Sequence, residues 1–124
     1  MIETLHTESA PAAIGPYSQA KIVNGILYAS GQIAINPASG EVEAKTVEGQ
    51  TEQVCKNIGE ILKAAGSDFS KVINTTCFLK NMSDFATFNT IYGTFFTSKP
   101  ARSCVAAAAL PKDVLVEVEI IAEV

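Results

Sequence analysis

The chain has 124 residues, 48% of them hydrophobic and 18% charged, with a formal net charge of −4 and no tryptophan. That size suits one domain, residues 1–124, with a core of its own. No apolar run of about 18 residues is available to cross a bilayer, and no Lys/Arg cluster is available to grip nucleic acid.

The N-terminal stretch MIETLHTESAPAAIGPYSQ has neither the basic nor the apolar region of a secretion signal, so a cytoplasmic location is expected. Cys55, Cys77 and Cys104 are odd in number and far apart, and His6 is the sole histidine. They make no ordinary metal set and read as reduced thiols, with Cys55 and Cys77 as small buried hydrophobes.

APAAIGPYSQ (10–19) is a loop, punctuated by two prolines and a glycine. AKIVNGILYASGQIAI (20–35) holds two apolar runs joined by Asn24-Gly25, a strong signal for a hairpin with a type I′ turn. NPASGE (36–41) reads as a further turn. From 46 to 65, Val47, Thr51, Val54, Ile58, Ile61, Leu62 and Ala65 recur at helical spacing, with Thr46 as N-cap and Gly66 as stop.

VINTTCFLK (72–80) is β-branched and aromatic, as a strand requires. A second helix starts at Ser83 or Asp84, carries a core stripe of Phe85, Phe88, Tyr92, Phe95 and Phe96, and stops before Pro100. Gly59 and Gly93 lie inside the two helices, and close packing on a sheet is the expected compensation for each.

Two strands close the chain. In 102–109, Arg102, Cys104, Ala106 and Ala108 share a face. In 115–123, Val116, Val118, Ile120 and Ala122 share one face; Leu115, Glu117, Glu119, Ile121 and Glu123 share the other. The order ββ-α-β-α-ββ predicts an α+β fold, a sheet with both helices on one face. The other face carries apolar residues among its charges, which predicts a homo-oligomer.

Pattern alone leaves several positions open. Arg102 reads equally as a solvated charge at the start of a strand, and Glu117 and Glu119 as the polar side of a half-buried one. Tyr17 serves as a loop anchor, and Asn89 as a surface residue. Ser30-Gly31 reads as a bulge or as a place where a ligand approaches the backbone.

Four segments narrow these choices: IGPYSQA (14–20), YASGQI (28–33), FATFNTIYGTFF (85–96) and ARSCVAAAALPKDVLVEVEIIA (101–122). Together they resemble the RidA family, also called YjgF/YER057c/UK114, over nearly the whole chain. The resemblance implies a mixed sheet of the Bacillus chorismate mutase type, a homotrimer, and imine deaminase activity on 2-aminoacrylate and related enamines that protects pyridoxal-phosphate enzymes. The products are a 2-oxo acid and ammonia, and no metal or organic cofactor is expected.

Carried onto this sequence, Arg102 clamps the substrate carboxylate, aided by backbone N–H groups of Gly31 and Cys104. Glu117 moves the proton. Tyr17 and Ser30 close the pocket, and Asn89 lines it. The implied sites lie at subunit interfaces, with Arg102 of one chain meeting Glu117 of the next. Two other readings remain: a non-catalytic 2-oxo acid binder that regulates, and a ribonuclease or translation inhibitor. The acidic balance counts against the last.

Overall fold

The computed structural model describes residues 1–124. The elements are β1 (Glu3–Leu5), β2 (Ala20–Val23), β3 (Ile26–Ala29), β4 (Ile35–Asn36), β5 (Glu41–Val42), α1 (Val47–Ala64), β6 (Val72–Leu79), α2 (Phe85–Phe95), β7 (Ala101–Ala106) and β8 (Val116–Glu123). Six strands form one sheet in the order β1-β2-β3-β8-β6-β7. Only β6 and β7 are parallel, joined through α2, and the other neighbours are antiparallel. The architecture is the expected α+β sheet with helices on one face.

Local chemistry sets the framework. Asn24 and Gly25 both take positive φ, 52° and 77°, as a type I′ turn requires, and Val23 then pairs with Ile26. The Thr46 hydroxyl caps α1 by accepting from the Gly49 N–H at 3.1 Å. Gly66 leaves the helix at φ 75°.

The apolar face of α1 (Val54, Ile58, Ile61, Leu62) and that of α2 (Phe88, Tyr92) cover one face of the sheet. Beneath them lie Val116, Val118, Ile120 and Ala122 of β8 and Thr75, Cys77 and Leu79 of β6, all buried. Cys55 and Cys77 lie in this core.

Two expectations need correction, and two features add to what the sequence shows. The strand placed at 102–109 ends at Ala106. Its partner β6 ends at Leu79, whose carbonyl takes the Ala107 N–H as the last bond between the two strands. Residues 36–41 are more than a turn, because β4 and β5 pair across them. β1, which the sequence did not suggest, pairs with β2. Finally, neither helical glycine packs on the sheet. A Cβ on Gly59 would meet the Phe69 ring at 3.1 Å, and one on Gly93 would meet nothing within 4 Å.

Candidate active site

A bulge builds one half of the site. Tyr28 pairs with Ile121, and Gln32 next bridges to Val118, exchanging hydrogen bonds of 2.8 and 3.1 Å. Between those pairs the Ser30 side has one residue more than β8. The extra residue takes Ser30 and Gly31 out of the pairing with β8 and brings Gly31 against Glu117. Ser30 is fixed there: its N–H donates to the Gln19 carbonyl and its hydroxyl to the Ser18 carbonyl at 2.6 Å.

Gly31 leaves room for the Glu117 carboxylate, which a side chain here would displace. A Cβ there would overlap Oε2 of Glu117 and lie 2.9 Å from its Cδ. The carboxylate therefore rests on bare backbone. Burial, and secondarily the charge of Glu119, push the Glu117 carboxyl above its ordinary range.

These residues line a cavity of about 590 Å³. Tyr17, Ser30, Gly31, Glu117 and Glu119 supply its polar groups, and Ile14, Ile33 and Ile35 are among its apolar walls. Lys112, held at φ 55°, also reaches it. The loop that carries Tyr17 is tied down by the buried Gln19 amide, which donates to the carbonyls of Thr7 and Pro11 and accepts from the Thr7 N–H.

Arg102 lies elsewhere. It pairs in register with Thr75, so its side chain leaves the sheet on the helix-covered face. Its Nη1 donates to Oδ1 of Asn89 at 2.7 Å. Its Cζ stands 4.9 Å from the Tyr92 ring centroid and 5.4 Å from that of Phe85. Tyr92 is held by a 2.7 Å hydrogen bond to the Thr75 hydroxyl and by stacking on Phe96.

β7 is a sheet edge. Ala107 turns its N–H inward to Leu79, so by the alternation of a parallel pair Arg102 and Cys104 turn theirs outward. The Cys104 N–H is thus free to bind, whereas burial pushes its thiol up, with Arg102 opposing. A protonated thiol is a poor nucleophile.

The structure therefore sorts the predicted residues into two groups. Tyr17, Ser30, Gly31 and Glu117 share a cavity; Arg102, Asn89 and Cys104 do not reach it. β6 stands between β7 and β8, and Glu117 lies three residues along β8 from Ile120, which is level with Arg102. Strand spacing and rise make that roughly 14 Å between Cα atoms, on opposite faces of the sheet. Asn89 holds the arginine instead of lining the cavity.

Sequence reasoning passed over Phe85, Tyr92, Glu119 and Lys112 as site residues. Phe85 and Tyr92 flank Asn89 at helical spacing ahead of the Arg102 strand, and their place in the apolar stripe of α2 reads as core in the sequence.

The fold and these two groups define a small α+β protein with an arginine cradle at a sheet edge and a raised carboxyl in a separate cavity. The sequence profile of the family described as endoribonuclease L-PSP matches residues 7–124, and the chain belongs to that family, the RidA family its motifs resemble. It is 61% identical to a Lactococcus lactis protein whose name proposes a regulator, AldR, over 99% of this chain and 98% of that one. It is 50% identical to the mouse 2-iminobutanoate/2-iminopropanoate deaminase, over 97% of this chain and 90% of that one. Among solved structures, Escherichia coli TdcF with bound serine superposes with a TM-score of 0.93 at 40% identity, over 98% of each chain.

Proposed function

We propose that this protein hydrolyses 2-imino acids, the tautomers of enamines such as 2-aminoacrylate, to 2-oxo acids and ammonia. The active site would be shared between subunits of a homotrimer, so that Arg102 of one chain faces Glu117 of the next. The observation that carries this reading is the separation just described. One chain presents the anion-binding group and the proton-handling group on opposite faces, too far apart to hold one small substrate between them. A relative named as an imine deaminase and one that binds serine support the substrate class.

The sheet face away from the helices suits subunit contact. Tyr28 and Val105 alternate with inward residues on β3 and β7 and are 49% and 48% exposed there.

The chemistry then follows from the groups present. Arg102 offers a fork of N–H donors to the substrate carboxylate, joined by the outward Cys104 N–H. Ionised Glu117 takes a proton from water as its oxygen bonds to the iminium carbon, which gives a neutral carbinolamine. Glu117 returns that proton to the nitrogen. The C–N bond breaks, and the leaving ammonia carries off the hydroxyl proton as ammonium. A carboxyl pushed up by burial is suited to both transfers near neutral pH.

The test couples a serine or threonine dehydratase to this protein and follows imine decay and 2-oxo acid formation. Acceleration by the protein is expected. Arg102→Ala should abolish it, and Arg102→Lys should be poor because ammonium cannot reproduce the fork. Imine decay at the same rate with and without the protein would refute the reading and leave the metabolite-binding alternative.

A further inference from the structure

Arg102 is a half-buried guanidinium that enters no ion pair; the chain's ion pairs are Lys56–Glu52 and Lys80–Asp113. Its polar partner is a neutral amide, at Asn89. The facing atom must be Oδ1, since a guanidinium donates and never accepts. Phe85, Asn89 and Tyr92 stand at i, i+4 and i+7 of α2 and so share the face that meets Arg102. Tyr92 is itself immobilised by Thr75 and Phe96.

We infer that Asn89 is a positioning residue: it orients the Arg102 guanidinium within its aromatic cradle without cancelling the charge, which keeps that charge free for a carboxylate ligand. An aspartate at position 89 has the same shape and can accept the same hydrogen bond. It would also make an ion pair, and the arginine would then carry an internal counter-ion that competes with any incoming carboxylate. The amide removes that competition. It takes one of five N–H donors and leaves the others for bidentate binding. Asn89 thus acts through Arg102 and does not need to touch the ligand.

This inference rests on the proposed role of Arg102 as the carboxylate clamp, and its test is separable from the test of turnover. Asn89→Asp and Asn89→Ala are compared with the unaltered protein in three measurements: melting temperature, Kd for 2-oxobutanoate by ligand-observed NMR, and kcat and KM on dehydratase-generated imine.

Asn89→Asp should leave the melting temperature unchanged or higher yet weaken 2-oxobutanoate binding by about tenfold or more, the scale of losing a charge-assisted bond. Asn89→Ala should weaken binding only about threefold to fivefold, the scale of one hydrogen bond, and raise KM with kcat nearly kept. A merely structural role predicts the reverse order, because aspartate preserves the contact and alanine deletes it. The inference is overturned if Asn89→Asp binds as well as Asn89→Ala or better, or if Asn89→Ala loses kcat at constant KM. If the unaltered protein binds 2-oxobutanoate but does not hasten imine decay, the deaminase reading fails while the order of the two variants still decides this one. No binding of 2-oxobutanoate by the unaltered protein overturns this inference, while imine decay still decides the deaminase reading by itself.

Discussion

Glu117 carries its function in its surroundings. Burial opposes its ionisation, and Glu119, two residues along the same face of β8, adds like charge. In the proposed mechanism Glu117 is the base and must be ionised, so turnover should fall as pH drops through its raised pKa. Glu119→Gln removes one of the two causes and lowers that pKa. The acid limb of kcat/KM should then move to lower pH, with the plateau largely kept. A pH–rate profile that stays in place, or moves upward, would show that Glu119 does not tune the site. The shift also bears on stability: a carboxyl raised in the folded state favours the fold when protonated, and that advantage fades as pH rises through its folded pKa.

The two helical glycines separate local propensity from packing. Gly93→Ala should stabilise the protein by about 1 kcal/mol, because alanine is the better helix former and the new methyl meets nothing within 4 Å. Gly59→Ala should gain less or lose, because its methyl would press at 3.1 Å on Phe69, whose ring packs on those of Phe95 and Phe96. Urea unfolding of the two variants checks the order, and equal gains would contradict it.

Much at this scale was legible in the sequence. Asn24-Gly25 announced its hairpin, and Thr46 and Gly66 marked the ends of α1 within a residue. β1 and the β4–β5 pair were not legible, because runs of two or three residues show no periodicity and depend on a partner strand. The orientation of Arg102 was hidden for a related reason. In ARSCVA neither alternating set is distinctly apolar, so only the register with Thr75 fixes which set faces the helices. β8 was plain by contrast: its valines and isoleucine alternate with glutamates, and they are buried as that pattern requires.

At the scale of the assembly, the shared-site proposal makes a numerical claim. Arg102→Ala and Glu117→Ala should each be inactive alone. If the two are unfolded together and refolded in equal amounts, about three-quarters of the trimers are mixed, and one interface in three of each mixed trimer lacks both defects. About a quarter of all sites should therefore recover activity. A site contained within one chain predicts none, so mixed trimers that assemble and stay inactive would refute the model.

The bulge at Ser30-Gly31 and the register of β7 on β6 are independent pieces of backbone, and in the proposed mechanism each carries half of the chemistry. Ligand capture and proton transfer can consequently diverge separately over evolutionary time. A lineage that loses its glutamate keeps an intact grip on small carboxylates and becomes a metabolite sensor on an unchanged scaffold.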